Sequence, residues 1–449
     1  MEISDRIEQF TKMMEEDELL LKSTAIHYFR KLFATERDKS KVPDESPFYL
    51  RIINQIIRAL SNNYLDHDSQ ADAIWVVTNM CCLNQKINHL FVEANCIDIL
   101  VKQLTNGDRK IANQCIWAIA NIAADCIDCK MRCRSVKVFK QLVQKLTKSY
   151  EMNQVDRRNL IWCINNLTSG GRIQVPNTVA KSMIRALSDN LFNSKGYPTE
   201  SASKILWSLA NIADDINNLN RIDMILDQSE LVQNCLSIFL DSTYSQLHTA
   251  ALRLIGNIAV GNNEQTDRLL AFSNFRYVLE LAMTKVEHRS EVAWICSNIC
   301  AGLPRHIDYL LINDKFYRWV QEGIQSKERR FEKECLWIVA NSLVSGDEAQ
   351  IEWLVEQGVI FQIARLLKSE DTRLNEKGLS AAIHIIREYP WQQRLFEELK
   401  IVECIDTSES PMLFSAQKRE LEIILTNSAT PKIPKIEDEF KYLSFSKIE

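Results

Sequence analysis

The chain has 449 residues, 46% of them hydrophobic and 25% charged, enough for two or three globular domains or one long repeat array. Only 11 glycines and 9 prolines are present, so tight turns are few, which favours helices over a β-sandwich or barrel. The formal net charge of −5 excludes the basic surplus of a general nucleic-acid binder and instead suits basic peptide partners.

In chain order, Met1–Glu18 is acidic and has no apolar run, so it is an acidic lead-in and not a signal peptide. Thr24–Thr35 and Phe48–Leu60 are predicted helices of an opening repeat. Asp72–Leu83 follows, then a polar break, a helix predicted over Ile87–Leu104, and a second break at Thr105–Arg109. Asn113–Asp125, N-Q-C-I-W-A-I-A-N-I-A-A-D, is the clearest copy of a helix that recurs. Gln114, Trp117, Asn121 and Asp125 fall one turn apart on one face, while Ile116, Ala118, Ile119, Ile122 and Ala123 require a core.

The recurrence is regular. Trp75, Trp117, Trp162, Trp207, Trp294 and Trp337 are each followed four residues later by Asn79, Asn121, Asn166, Asn211, Asn298 and Asn341, and Arg253–Asn257 fills the remaining slot. The intervals are 42, 45, 45, 46, 41 and 43 residues, and a helical period in the low forties marks an armadillo or HEAT array. Glu376–Arg387 keeps the helix but loses both residues, Ser410–Leu425 reads as a closing helix, and Lys432–Glu449 as a loose tail. The expected fold is therefore all-α, a right-handed superhelical armadillo solenoid of about ten repeats. Its predicted divisions are a lead-in over 1–18, an array over 19–425 and a tail over 426–449. No apolar run is long enough to span a membrane. Thirteen cysteines, an odd number without framework spacing, imply free thiols in a reducing compartment, the cytoplasm or nucleus.

A repeated Trp–Asn ladder has a chemical rationale. An Asn amide can donate to a carbonyl and accept from an N–H, and so can hold one unit of an extended peptide. An indole offers a wall for an aliphatic stem and a π face for the charge of Lys or Arg. Helices about 8–10 Å apart meet an extended chain at every second or third residue, given a rise of about 3.3 Å. The bland alternative is that the pairs are packing residues, in which case every buried Asn needs an internal partner. Other chemistry is weak. Cys126, Cys129 and Cys133 give C-x2-C-x3-C, but His89 and His248 belong to other repeats, so no metal is expected and the thiols read as free. No phosphate loop or nucleophile elbow is present, so neither catalysis nor a cofactor is expected.

These motifs resemble the importin-α family, adaptors for nuclear localisation signals, over roughly residues 10–425. The most specific match is Ala251–Asp267, A-L-R-L-I-G-N-I-A-V-G-N-N-E-Q-T-D, where the family also replaces Trp by Arg and keeps Asn. C-I-W-A-I-A-N-I-A-A-D and L-W-I-V-A-N-S-L-V-S-G follow the family closely. The resemblance implies a major peptide site at Trp75, Asn79, Gln114, Trp117, Asn121, Asp125, Asn159, Trp162 and Asn166. Asp125 matches the acid that pairs with the signal's key lysine. A minor site is implied at Trp207, Asn211, Arg253, Asn257, Trp294, Asn298, Glu334, Trp337 and Asn341. Implied partners are basic signal peptides of cargo and the export receptor, with no nucleic acid; importin-β is not implied where its basic recruiting segment is missing. Three departures stand out. Met80–Asn84, M-C-C-L-N, replaces a small-residue turn. Lys204 stands three residues before Trp207, where the family tends to be acidic. Met1–Thr24 has only Arg6, Lys12 and Lys22 as basic residues, unlike the family's basic importin-β-recruiting segment. This last departure favours a second reading, an importin-α-like scaffold or chaperone that holds a dedicated basic partner.

Overall fold

The computed structural model describes residues 3–34, 46–62, 65–106, 108–124, 126–170, 175–192, 199–215, 218, 220–311, 314–406 and 415–427. The expected tail over 426–449 lies almost wholly outside them, and so does Asp125. Among the described residues the chain is all-α, with no strand.

The recurring helix is present in every copy: α1 (His67–Met80), α2 (Arg109–Ile122), α3 (Gln154–Thr168), α4 (Thr199–Ala213), α5 (His248–Ala259), α6 (Arg289–Cys300), α7 (Arg329–Ser345) and α8 (Thr372–Glu388). Residues 1–261 with 272–278 form one compact unit, which holds α1–α5. Residues 262–271 with 279–449 form a second, which holds α6–α8.

Local chemistry starts several of these helices. Asp66 accepts from the Ser69 N–H at 2.9 Å, Asp108 from Ile111 at 3.0 Å and Asn153 from Asp156 at 2.8 Å. Each cap satisfies an N–H that the first helical turn leaves unpaired. Those bonds hold the Asp66 and Asp108 carboxyls below the usual range.

One predicted element is corrected. The helix expected over 87–104 is two helices, Gln85–Glu93 and Cys96–Asn106, separated at Asn95 with φ 62°. Asn enters the left-handed region more readily than most residues because its short amide bonds locally. The same break recurs at Gly358 (φ 77°), between Glu348–Glu356 and Ile360–Leu367. A repeat therefore contains two short helices followed by the long helix of the ladder.

In the first unit, α1 packs on α2, α2 on α3, α3 on α4, and α4 on α5. The interior of α2 is buried almost all round: Ile111, Ala112, Cys115, Ile116 and Ala118–Ile122 are covered, while Asn113, Gln114 and Trp117 remain half-exposed. Exposed ion pairs join the starts of successive helices: Lys110–Asp68 at 2.7 Å, His67–Asp108 at 2.6 Å and Arg109–Asp156 at 3.2 Å. Such pairs contribute little stability but set the lateral alignment of neighbours. The acidic lead-in is helical over Ile3–Glu15. It buries Ile7 and Met14, and Phe10 stacks on Tyr28 at 3.8 Å.

In the second unit, α6 packs on α7 and α7 on α8, and the closing helix Ser415–Asn427 packs on α8. His306 is fully buried. Its Nδ1 accepts from the Leu303 N–H at 3.1 Å, which leaves Nε2 to donate to Asp267 at 2.9 Å. Arg305 pairs with the same carboxylate, and together they hold Asp267 far below the usual range.

Candidate functional site

The ladder residues fall on one side of successive helices, and each indole is only partly covered. In the first unit Trp75, Trp117, Trp162 and Trp207 are half-exposed on α1, α2, α3 and α4, with Asn159 and Gln114 beside them. The Trp75 and Trp117 rings lie 6.4 Å apart, tilted by 42°. In the second unit Trp294 and Trp337 are half-exposed on α6 and α7.

Four of the asparagines have the internal partner that the packing alternative requires. Asn121 donates Nδ2 to the Thr78 carbonyl at 2.9 Å, Asn166 to Ala120 at 3.1 Å, Asn257 to Ala210 at 2.8 Å and Asn341 to Ser297 at 2.8 Å. Each acceptor is the residue just before the ladder Asn, or its positional equivalent, on the preceding packed helix. The side chain is thus a strut between repeats, and Oδ1 is the part left over for another partner. Asn79 and Asn298 differ, because their buried Nδ2 atoms have no partner among the described residues, and nor does Gln114 Oε1. Asn211 is half-exposed. Asn121 also donates to Cys82 Sγ at 3.1 Å, so the Met80–Asn84 departure puts a thiol against the ladder.

One indole in each unit is covered by an arginine. Arg30 lies over the Trp75 ring at 4.1 Å and is tied to Asp72, three residues before Trp75, at 2.8 Å. His27 reaches the same carboxylate at 2.9 Å. In the second unit Arg373 lies over Trp337 at 5.2 Å and pairs with Asp371 at 2.9 Å, a contact that holds Asp371 down to about 2. Both indoles carry a resident cation, while Trp117, Trp162 and Trp207 carry none among the described residues.

The position three before each Trp is a second row of chemistry: Asp72, Gln114, Asn159, Lys204, Glu291 and Glu334, with Ala250 before Arg253. Lys204 is neutralised within its own helix by Glu200. Glu291 is buried and paired with Arg330, and sequence reasoning missed it although its offset from Trp294 matches that of Glu334 from Trp337. Burial pushes the Glu334 carboxyl up, against the pull of Arg330 and the Ser297 hydroxyl, which donates at 3.4 Å. In the first unit burial likewise raises Asp214, opposed by the Arg253 charge.

A second correction concerns the thiols. His89 is not remote from the Cys126 cluster: its Nε2 lies 3.4 Å from Cys126 Sγ, because the short helices of neighbouring repeats stack.

The family model described as Armadillo/beta-catenin-like repeat matches residues 89–124, which span the corrected break and α2. Importin subunit alpha-1b of Oryza sativa subsp. japonica is 26% identical over 377 residues, covering 83% of this chain and 68% of that protein. The chain has an armadillo-repeat fold and is similar in sequence to the importin-α subunits. Importin subunit alpha-6 of Arabidopsis thaliana is 25% identical over 215 residues, and the match spans little over a third (37%) of that protein's length. Among solved structures, an engineered protein superposes with a TM-score of 0.71 at 18% identity, over 94% of this chain and 98% of its own. A chain from a study of the cadherin–β-catenin interaction gives 0.60 at 14% identity, over 86% and 68%. At these identities the structural likeness speaks for the fold. Proteins of this importin-α-like armadillo type are binding scaffolds, not enzymes.

Proposed function

We propose that the chain is a nuclear-import adaptor that holds Lys/Arg-rich localisation signals of cargo proteins in extended form along the Trp–Asn ladder, and that it works in both cytoplasm and nucleus. The observation that carries this reading is the row of partly exposed indoles at one-helix intervals on α1–α4, three of them without a resident cation. In the first unit a peptide would lie across Trp75, Trp117 and Trp162. Indole faces would take the lysine stems, and the Oδ1 atoms of Asn121 and Asn166 would meet backbone N–H groups. Asp125, next after Ala124 in the sequence, supplies a carboxylate for a ligand ammonium. Trp207 and Arg253 extend the row. In the second unit Trp294, Asn298, Glu334 and Trp337 would hold another basic segment. Each cation–π contact contributes on the order of 0.5–2 kcal/mol, so several must act together.

The test is titration of a fluorescent Lys-rich signal peptide into the full chain, by anisotropy, at rising salt. The expected result is saturable binding that weakens with salt and is lost when the lysines become alanine. Equal binding of both peptides would exclude the reading. The scaffold reading, in which the ladder holds one dedicated basic partner, would be set aside by co-precipitation of importin-β with the chain.

A further inference from the structure

We propose that His89, Cys126 and Cys129 form a metal site of the zinc class that joins two adjacent repeats. His89 stands on Gln85–Glu93; Cys126 immediately precedes Ile127–Cys133, and Cys129 lies within that helix. One ligand atom from each of the three falls within 4.8 Å of the others. Zinc bonds of about 2.3 Å to sulfur and about 2.0–2.1 Å to nitrogen give a tetrahedral N···S edge of roughly 3.5 Å. The His89–Cys126 separation of 3.4 Å already matches that edge. The Cys129 N–H donates to Cys126 Sγ at 3.2 Å, which fixes the direction of that sulfur as an outer hydrogen bond does in metal centres. Cys133, buried one turn beyond Cys129, backs the cluster. His89 is half-exposed and gives an entry path.

The donor set chooses the ion. Two thiols and an imidazole favour zinc-like ions over magnesium or calcium, which take oxygen ligands. A thiol–imidazole hydrogen bond accounts for Cys126 and His89, and the N-cap bond from the Cys129 N–H to Cys126 Sγ holds Cys129 beside them; the metal reading rests on one donor atom from each of the three lying within 4.8 Å of the others. Burial holds the Cys129 and Cys133 thiols above the usual range. On binding, each ligating S–H releases its proton to solvent as an S–metal bond forms, without redox change. Uptake therefore rises with pH.

The experiment is titration of the full chain with Co(II), then Zn(II), under a non-chelating phosphine reductant. Absorbance, proton release and melting temperature are followed. One equivalent of Co(II) is expected to give thiolate-to-metal charge-transfer absorption that Zn(II) abolishes, with about two protons released. Cys126→Ser, Cys129→Ser and His89→Gln should each weaken binding about a hundredfold or more, whereas Cys235→Ser, at a buried thiol elsewhere, should not. Circular dichroism checks that each variant folds, and His89→Gln, at a half-exposed side chain, is the variant least exposed to a folding defect. No charge-transfer band in the wild type overturns the proposal. A band that survives in folded His89→Gln and Cys126→Ser places the metal on other thiols and also overturns it.

Discussion

Asn121 donates its Nδ2 to the Thr78 carbonyl at 2.9 Å, so the residue that best marks the ladder is also a strut between α1 and α2. Asn79 makes no such bond through its Nδ2. Replacing Asn121 by alanine should therefore cost about 1 kcal/mol of stability, and replacing Asn79 should cost clearly less. Urea unfolding of the two variants measures the difference. Equal destabilisation would mean that the strut carries no weight.

Arg30 covers Trp75 and competes with any ligand cation for that ring. Arg30→Gln removes a contact of about 0.5–1 kcal/mol at a partly exposed site, so a Lys-rich peptide that reaches Trp75 should bind about two- to fivefold more tightly. Calorimetry with peptides of increasing length checks this. Weaker binding by the variant would show that Arg30 helps to hold the peptide and does not compete with it.

Glu334 sits where burial raises its carboxyl. A raised folded-state value favours the protonated form, so its stabilising contribution is complete below the unfolded value and is lost as pH rises through the folded one. At neutral pH the ionised group is therefore a burden on the fold, whereas a bound ammonium needs that charge. Glu334→Gln should raise the melting temperature by about 1–2 °C at pH 7.5 and weaken binding to the second unit. Wild-type affinity should fall as pH is lowered from 7 towards 5, and the variant's should stay flatter. Scanning calorimetry and peptide titration at four pH values test both halves.

Lys204 stands three residues before Trp207 on α4 and pairs with Glu200. Lys204→Glu should tighten a long basic peptide several-fold, about 1 kcal/mol or less for one partly exposed charge, and more at 20 mM salt than at 300 mM. No salt-dependent gain would mean that the peptide path avoids Trp207.

The architecture was legible because a Trp–Asn pair, or Arg253–Asn257 in its place, every 41–46 residues reports a period that no single globular domain would keep. The three-helix repeat was not, because the break at Asn95 rests on one residue with positive φ inside a continuous apolar pattern. The half-exposure of the indoles is seen only in the structure. The acceptors of the asparagine struts were not legible, because they are backbone carbonyls 43–47 residues away, which leave no mark on sequence. Arg30 and Arg373 were missed for a similar reason: a cation meets an indole of another repeat only once the helices are stacked. The proximity of His89 to Cys126 is a further case, a contact across 37 residues that the C-x2-C-x3-C spacing does not disclose.

If the indole face of α2 holds a basic extended peptide, Trp117→Ala removes the wall that it lies on. The Trp117 ring is half-exposed, so the variant should keep its helicity. Anisotropy with a Lys-rich signal peptide at physiological salt should show affinity reduced about tenfold, the effect of losing one cation–π wall and its apolar contact. Unchanged affinity in a folded Trp117→Ala variant would contradict the account.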